Sequence, residues 1–262
     1  MLQTLRTEAL SEMSADTFAD LTVILPTLNE VGNLESLIAG LGQAMPGCQV
    51  IVVDDNSSDG TPELVRGIAA ANPSVRLIAR QVKPCLTDSI QIGIRAATTE
   101  YIAWMDADHS HPPAVMRQLC EVARVSGCCI ATRYAEANDS FVDRLPKGEV
   151  LAAGLSAVLN FSVSRILRLE ITDYTSGFIV CRRALLSDHD LTGDYGEYFI
   201  ELMYYLTRRG VDLREVYYES PPRLTGESKT GASLLPLMRR GVKYLWLVSR
   251  LMLSSSKSTS GH

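Results

Sequence analysis

Acidic and amide side chains cluster at three places along the chain, each where a short apolar run ends. Asn29-Glu30 follows the run 21–25, Asp54-Asp55-Asn56-Ser57-Ser58-Asp59 follows 50–53, and Asp106-Ala107-Asp108-His109-Ser110-His111 follows 101–105. Carboxylates brought together repel each other and lose hydration, so they require a cation or a ligand rich in hydrogen-bond donors. A divalent cation with oxygen ligands is the expected occupant, and it can in turn hold a diphosphate.

Each cluster taken alone has a simpler interpretation. An isolated Asp-x-Asp pair occurs by chance, and Asp59-Gly60 is typical of a turn. Ser57, Ser58 or Asp59 could cap a helix. His109 and His111 are either ligands of a softer metal or solvated loop side chains. The three clusters together, each after a predicted strand, favour a functional site.

The elements that must position these clusters alternate between strand and helix. Buried strands are predicted at 21–25, 50–53, 75–79, 101–105 and 128–132, with helices at 34–41, 61–71, 88–97 and from Pro112-Pro113 onward. Continuous apolar strands separated by helices predict a parallel sheet covered on both faces. Such sheets bind ligands at the carboxyl ends of their strands, where the three clusters lie.

The second half of the chain is expected to complete the same domain. It contains helical patterns at 148–169 and 234–253 and a strand at 211–218. The last helix carries Arg239, Arg240, Lys243 and Arg250 along an apolar stripe, so it either lies on an anionic membrane surface or packs on the core. We therefore expect a domain at 21–253, a poorly ordered extension at 1–20 and a flexible tail at 254–262.

Composition and missing motifs exclude several functional classes. The 262 residues are 46% hydrophobic and 21% charged with a net charge of −5, which is typical of a globular protein and disfavours nucleic acid as a partner. No apolar run is long enough to span a bilayer, residues 1–20 do not resemble a signal peptide, and the six cysteines are expected to be reduced cytoplasmic thiols. The absence of G-x-G-x-x-G and G-x-x-x-x-G-K-[ST] disfavours a dinucleotide-binding dehydrogenase and a P-loop NTPase.

These motifs resemble those of family 2 glycosyltransferases with the GT-A fold, and more narrowly the polyprenol-phosphate (dolichol-phosphate) mannose synthase group. The similarity rests on the segments V-I-L-P-T-L-N-E (23–30), V-V-D-D-N-S-S-D-G-T (52–61) and M-D-A-D-H-S-H-P-P (105–113). Further matches are T-R-Y (132–134), D-Y-T-S-G-F (173–178), Y-F-I-E (198–201) and R-L-T-G-E-S-K (223–229). The resemblance covers residues 21–253 and implies a single GT-A domain with a Rossmann-like, mostly parallel sheet.

The resemblance also implies roles for particular residues. The nucleotide pocket would be lined by Pro26, Leu28, Glu30, Asp54, Asp55 and Asp106. Mg²⁺ or Mn²⁺ would be held by Asp106, Asp108 and Ser110. The catalytic positions would be Asp108, Arg133, Arg223 and Lys229, and the acceptor side would be formed by Arg144, Ser176 and Ser228.

The chain departs from the family pattern in two places, the loop 83–89 and the residue after T-S-G-F. The family's acceptor-side loop, which usually reads K-x-G-L-G-T-A, is here Lys83-Pro84-Cys85-Leu86-Thr87-Asp88-Ser89, which keeps its spacing to Gly93 but lacks both glycines. Asp88 adds a negative charge where a phosphate cradle needs positive potential. The arginine that usually follows T-S-G-F is replaced by Ile179.

The implied reaction is metal-dependent, inverting transfer of a sugar from a nucleotide diphosphate, GDP-mannose being favoured, to a polyprenyl (dolichyl) phosphate. An acceptor phosphate is already an anion and needs no strong base. A hydroxyl acceptor would need a carboxylate base, for which Asp173 and Glu201 are candidates unless each pairs with an arginine. The alternatives are a GT-A enzyme that uses a UDP-sugar or a hydroxyl acceptor, and a non-catalytic nucleotide-sugar binding protein. A lipid acceptor would place the chain at the cytoplasmic face of a membrane, with a small membrane partner subunit as a further expectation.

Overall fold

The computed structural model describes residues 17–134, 150–167, 169–194, 196–221, 243–244 and 246–253. Within these ranges seven strands form one sheet in the order β3-β2-β1-β4-β6-β5-β7. The strands are β1 (Leu21–Thr27), β2 (Gln49–Asp55), β3 (Val75–Arg80), β4 (Tyr101–Trp104), β5 (Gly127–Thr132), β6 (Ile179–Arg182) and β7 (Asp212–Tyr217). The predicted α/β class, with a mostly parallel sheet in a single domain, is confirmed.

Helices cover both faces of this sheet, as predicted. They are α1 (Leu34–Ala44), α2 (Thr61–Ala71), α3 (Leu86–Ala96), α4 (Pro113–Ser126), α5 (Val150–Leu167) and α6 (Glu197–Arg208). One apolar layer includes residues of α1, α2 and α4, and the other includes residues of α3, α5 and α6. In α1 the buried residues Leu34, Leu37, Ile38 and Leu41 keep the helical spacing that predicted the element.

The sequence analysis missed strand β6 and helix α6, and also a short 3-10 helix at Arg183–Leu186. Strand β6 has only four residues and runs antiparallel to both β4 and β5, so it breaks the parallel order. Helix α6 buries Tyr198, Phe199, Leu202, Met203 and Leu206, and this spacing is a helical signal that the sequence did contain.

The two ends of the described chain pack on the domain. Phe18 is 2% exposed, and Asp20 forms an ion pair with Arg124 of α4, with 2.6 Å between Asp20 Oδ1 and Arg124 Nη2. Ordered contacts therefore begin upstream of residue 21. In the helical residues 246–253, Leu247 and Leu251 are buried in the core, so this part of the last predicted helix packs against the domain.

The cysteine side chains lie mostly in the core. All six cysteines are free, and five of them are buried. Burial raises the pKa of Cys48 to about 11 and that of Cys120 to about 12, which is typical of unreactive packed thiols. In the parts of the chain that the structure describes, no helix is long and apolar enough to cross a membrane.

Candidate active site

The loops after β1 and β2 are joined to each other by reciprocal hydrogen bonds. The amide of Asn29 donates to Ser57 Oγ at 2.8 Å, and the amide of Ser58 donates to Asn29 Oδ1 at 2.9 Å. A little further on, the amide of Glu30 donates to Thr61 Oγ1 at 3.0 Å. Thr27 and Asp54 are register partners in the parallel ladder, so the two strands end side by side. The first two clusters therefore form one rim, as predicted.

Each of the three predicted clusters contains a residue in the left-handed backbone region. Asn29 has φ 56°, Asn56 has φ 67° and His109 has φ 67°, and these are the positive-φ residues other than glycine within the described ranges. This conformation costs free energy for a side chain with a Cβ, and such residues concentrate at functional sites. The backbone geometry independently singles out the loops that the acidic residues indicated.

Asp54 and Asp55, at the end of β2, differ in what their carboxylates contact. Asp54 is 1% exposed; its Oδ2 accepts from the amide of Ser57 at 3.1 Å, and its Oδ1 is a buried acceptor that has no hydrogen-bond partner among the described residues. Asp55 is engaged on both oxygens, by the guanidinium of Arg80 and by the amide of Cys85 at 2.5 Å. Burial raises the pKa of Asp55, and these partners oppose the rise. Of the two carboxylates, Asp54 retains an acceptor for a ligand.

The loop after β4 carries the Asp-x-Asp pair. Asp106 is exposed at the end of the sheet, and Asp108 is 8% exposed. Asp108 Oδ1 accepts from the amide of Ser110 at 3.0 Å and from its hydroxyl at 2.6 Å. Ser110 thus holds one oxygen of Asp108 in place. The donor set at Asp106, Asp108 and Ser110 is entirely oxygen, which suits Mg²⁺ or Mn²⁺.

The two histidines of this loop contact protein groups. His111 Nδ1 accepts from the amide of Asp106 at 3.0 Å, and its ring stacks on Phe178 with centroids 4.4 Å apart. Burial lowers the pKa of His111, which keeps the ring neutral with its proton on Nε2. His109 Nε2 lies 2.9 Å from Ser36 Oγ and 3.1 Å from the carbonyl of Asn33. Both rings thus contact other parts of the protein, and His111, which is 4% exposed, is not the solvated loop side chain of the simpler interpretation.

Among the described residues, no group of three or more His, Cys, Asp or Glu side chains is arranged to hold a metal ion. The fit to a divalent cation therefore relies on the two carboxylates of the Asp-x-Asp pair together with oxygens of a ligand. Mg²⁺ commonly binds in this way, through one or two carboxylates and substrate phosphates.

Arg133, at the end of β5, forms a bidentate ion pair with the fully buried Asp173. Arg133 Nε lies 2.8 Å from Asp173 Oδ2, and Arg133 Nη2 lies 2.9 Å from Asp173 Oδ1. Burial acts to lower the pKa of Arg133 and to raise that of Asp173, but each partner's charge outweighs it, so the pKa of Arg133 is raised and that of Asp173 is lowered. The Arg133 side chain is still 23% exposed, although its guanidinium is paired with Asp173.

A polar network around this ion pair was not predicted from the sequence. Thr175 Oγ1 accepts from Arg133 Nη2 at 2.7 Å. Asn160, a buried side chain on the largely apolar helix α5, donates to Thr175 Oγ1 at 3.3 Å and accepts from the amide of Tyr174 at 2.7 Å. Glu215 of β7 accepts from the amide of Thr172 at 3.0 Å. The sequence did contain one signal for Asn160, because it is a polar residue within the uncharged stretch of helix α5.

The remaining predicted residues are placed as follows. Pro26, Leu28 and Glu30 lie at the end of β1 and just beyond it, partly exposed on the same rim. Ser176 is 6% exposed, and its hydroxyl has no hydrogen-bond partner among the described residues. Outside the described residues lie four predicted positions, Arg144, Arg223, Ser228 and Lys229.

The fold matches solved glycosyltransferase structures. Glucosyl-3-phosphoglycerate synthase from Mycobacterium tuberculosis, solved with Mn²⁺, UDP and glucosyl-3-phosphoglycerate, aligns with a TM-score of 0.58 and 19% identity over 92% of this chain and 80% of that chain. S. aureus TarS (residues 1–349), solved with UDP-GlcNAc, aligns with a TM-score of 0.57 and 17% identity over 89% of this chain and 66% of that chain. The chain therefore has the GT-A fold of these glycosyltransferases.

The sequence gives the narrower assignment. Residues 22–190 match the model of glycosyl transferase family 2, and the chain belongs to that family. It is 29% identical to the undecaprenyl-phosphate mannosyltransferase of Micrococcus luteus over 85% of this chain and 94% of that protein. It is 28% identical to the dolichol-phosphate mannosyltransferase of Pyrococcus furiosus, over 92% and 68% respectively. It is 30% identical to the polyprenol monophosphomannose synthase of Mycolicibacterium smegmatis, over 80% and 81%.

Proposed function

We propose that this glycosyltransferase transfers a mannosyl group from GDP-mannose to a polyprenyl phosphate, with inversion at the anomeric carbon and with Mg²⁺ or Mn²⁺. The three relatives named above act, by their names, on polyprenol-type phosphates. Because this acceptor is a membrane lipid, we also propose that the protein works at the cytoplasmic face of a membrane, bound to its surface or to a small membrane partner subunit.

On the donor side, the buried Oδ1 of Asp54 supports nucleotide binding. A buried acceptor without a partner costs free energy, and a ligand N–H donor relieves that cost. The ring N–H groups of guanine or uracil are donors of this kind. Asp54 is the register partner of Thr27 in β1, so it lies on the rim formed by the loops after β1 and β2, to which Pro26, Leu28 and Glu30 also belong.

On the diphosphate side, the Asp-x-Asp pair supports binding of a divalent cation. When bound, the cation would neutralise negative charge on the leaving diphosphate. Asp108 would hold it, and Ser110 would fix the orientation of the carboxylate. Arg133 would add a second positive charge toward the same group from the far side of β6.

The proposal of a phosphate acceptor is based on the ion pairs that the two candidate bases, Asp173 and Glu201, form. Asp173 is paired with Arg133 and its pKa is lowered, which makes it a weak proton acceptor. Glu201 Oε1 accepts from Arg250 Nη2 at 2.6 Å, and Glu201 Oε2 accepts from the hydroxyl of Thr192. Both candidates thus form the ion pairs that were the structural alternative. An acceptor phosphate is already nucleophilic at neutral pH and needs neither of them.

The second candidate function uses a UDP-sugar donor or a hydroxyl acceptor. The altered loop 83–89 is the observation that favours it. Thermal unfolding with GDP, UDP, CDP and dTDP, each with and without Mn²⁺, separates the two candidates. A nucleotide present at 100 times its Kd adds about 2.7 kcal/mol to the free energy of unfolding. A Mn²⁺-dependent shift with GDP alone supports the mannosyl donor, and a shift with UDP alone supports the alternative. Absence of any shift contradicts nucleotide binding at this site.

Measurements of kcat test whether Asp108 of the Asp-x-Asp pair takes part in the reaction. Asp108→Asn keeps the volume and an oxygen acceptor for Ser110 but removes the negative charge. We expect kcat to fall by about two to three orders of magnitude, as for loss of one group that stabilises developing charge. The control is Glu63→Gln, which removes an exposed carboxylate paired with Arg66 on α2. If Asp108→Asn forms mannosyl polyprenyl phosphate at the wild-type rate, Asp108 has no role in the reaction. Product formation by the wild type would exclude a protein that only binds nucleotide sugars.

A further inference from the structure

Arg80, the last residue of β3, contacts four groups although sequence analysis did not single it out. Its side chain is 8% exposed. Nη1 donates to Asp55 Oδ1, to Ser89 Oγ at 2.9 Å and to the carbonyl of Cys85 at 3.2 Å. Nη2 donates to Asp88 Oδ2 at 3.0 Å. One guanidinium therefore joins the end of β2, the loop 83–89 and the first turn of α3.

Asp55 provides a second attachment of the same loop. Its Oδ2 accepts from the amide of Cys85, while its Oδ1 is held by Arg80. The backbone of Cys85 thus contacts both members of a buried ion pair, through its N–H and through its carbonyl. Because Asp55 directly follows Asp54, the position of the loop is tied to the carboxylate that has an acceptor available for a ligand.

Two of the four groups around Arg80 are side chains at altered positions of the loop. Asp88 and Ser89 stand where the usual pattern has threonine and alanine. An alanine could not accept from Arg80, and a carboxylate forms a stronger, charge-assisted hydrogen bond than a hydroxyl. The side chain of Asp88 is 61% exposed, yet its charge is paired with Arg80. Asp88 also lies in the first turn of α3, where the helix dipole favours an anion.

We propose that Arg80 is a positioning residue that fixes the loop 83–89 against Asp55, and that Asp88 and Ser89 hold this loop, which lacks the glycines of the usual pattern at positions 85 and 87, through side-chain bonds. The loop is then preorganised for the donor nucleotide and does not form the positive cradle that a phosphate would need. This inference rests on the proposed function for its effect on the donor, but the bonds within the loop can be tested independently.

The kinetic test uses Arg80→Gln, Arg80→Lys and the double variant Asp88→Asn/Ser89→Ala. We expect Arg80→Gln to raise the KM for the sugar donor by about tenfold or more with kcat within about threefold, because the loop positions the donor without touching the reacting atoms. We expect Arg80→Lys to raise the KM less than Arg80→Gln does, because lysine keeps a positive charge next to Asp55. The double variant raises the KM by a smaller factor and keeps the buried Arg80–Asp55 pair, so it remains informative if Arg80→Gln fails to fold.

The matched control is Arg95→Gln, in the last turn of the same helix. Arg95 pairs with Asp190 at 2.9 Å, and both side chains are more than 60% exposed. We expect it to leave both KM and kcat unchanged, because exposed ion pairs contribute little. A KM that is unchanged in Arg80→Gln, or changed equally in Arg95→Gln, would overturn the positioning role.

Hydrogen exchange separates failure of this inference from failure of the proposed function. In Arg80→Gln the amides of Cys85, bonded to Asp55, and Ser89, bonded to the carbonyl of Cys85 at 3.1 Å, should exchange faster, while α4 stays protected. Unchanged exchange at residues 83–89 would overturn the inference even in an active enzyme. Faster exchange in a protein whose wild type binds no nucleotide would uphold the attachment of the loop and refute the proposed function.

Discussion

Substitution of Gly93 by alanine is expected to destabilise the protein, because α3 lies against β1 at this glycine. A Cβ added at Gly93 would lie 2.3 Å from Cγ2 of Ile24 and 3.0 Å from its Cγ1. Carbon atoms pack at about 3.5–4.0 Å, so helix and strand would have to separate by about 1 Å. Ile24 is fully buried and β-branched, which leaves it no alternative position without further clashes.

The expected change in the free energy of unfolding of Gly93→Ala is the sum of two opposing effects. Overpacking of this severity costs about 3 kcal/mol, and the better helix propensity of alanine returns about 1 kcal/mol. The expected net loss is about 2 kcal/mol, or about 4–8 °C in Tm for a chain of this size. The loss should be accompanied by lower activity, since α3 begins in the loop 83–89 and its displacement would pull Cys85 away from Asp55.

Urea unfolding followed by circular dichroism measures this effect, with Gly67→Ala as the control. Gly67 is also inside a helix, α2, but an added Cβ meets nothing within 4 Å, so this variant should gain up to about 1 kcal/mol. In the double variant Ile24→Ala/Gly93→Ala the loss should be smaller than the sum of the single losses by at least about 1 kcal/mol. Equal stability of Gly93→Ala and Gly67→Ala would refute the close approach of α3 to β1.

Two further predictions concern other parts of the domain. Phe18→Ala should lower the free energy of unfolding in urea by about 3 kcal/mol, because the ring is 2% exposed and lies beneath the guanidinium of Arg124. The control Val125→Ala, at a side chain that is 91% exposed, should change it by no more than about 0.5 kcal/mol. Equal losses in the two variants would contradict the packing of residues 17–20. Since burial lowers the pKa of His111 from 6.5, the unfolded state binds more protons as the pH falls below about 6.5, so stability should decrease there. His189 acts in the same direction, so His111→Phe, which keeps an aromatic ring, should reduce but not abolish the pH dependence of Tm, and an unchanged dependence would contradict a buried neutral His111.

Local sequence patterns sufficed for the elements that place the site. Buried runs followed by helical periodicity predicted β1 to β5 and α1 to α4, because each pattern is complete within about a dozen residues. The same patterns placed the three acidic clusters at strand ends, and the topology of a parallel sheet then brings those ends to one edge. The antiparallel direction of β6 could not be predicted, because a strand of only four residues, three of them apolar, has no pattern that favours one direction of pairing.

The contacts of each charged side chain, in contrast, depend on tertiary packing. The sequence shows Asp54 and Asp55 as equivalent neighbours, but alternate residues of a strand point to opposite faces, and only Asp55 meets Arg80. Likewise Asp173 could be a base or an ion-pair partner until β5 and the segment before β6 place Arg133 beside it. The fold class and the family follow from local sequence patterns alone, and the same patterns predict a site at the carboxyl ends of the strands. Charge pairing depends on contacts between residues about 25 to 40 positions apart, which only the packed chain brings together.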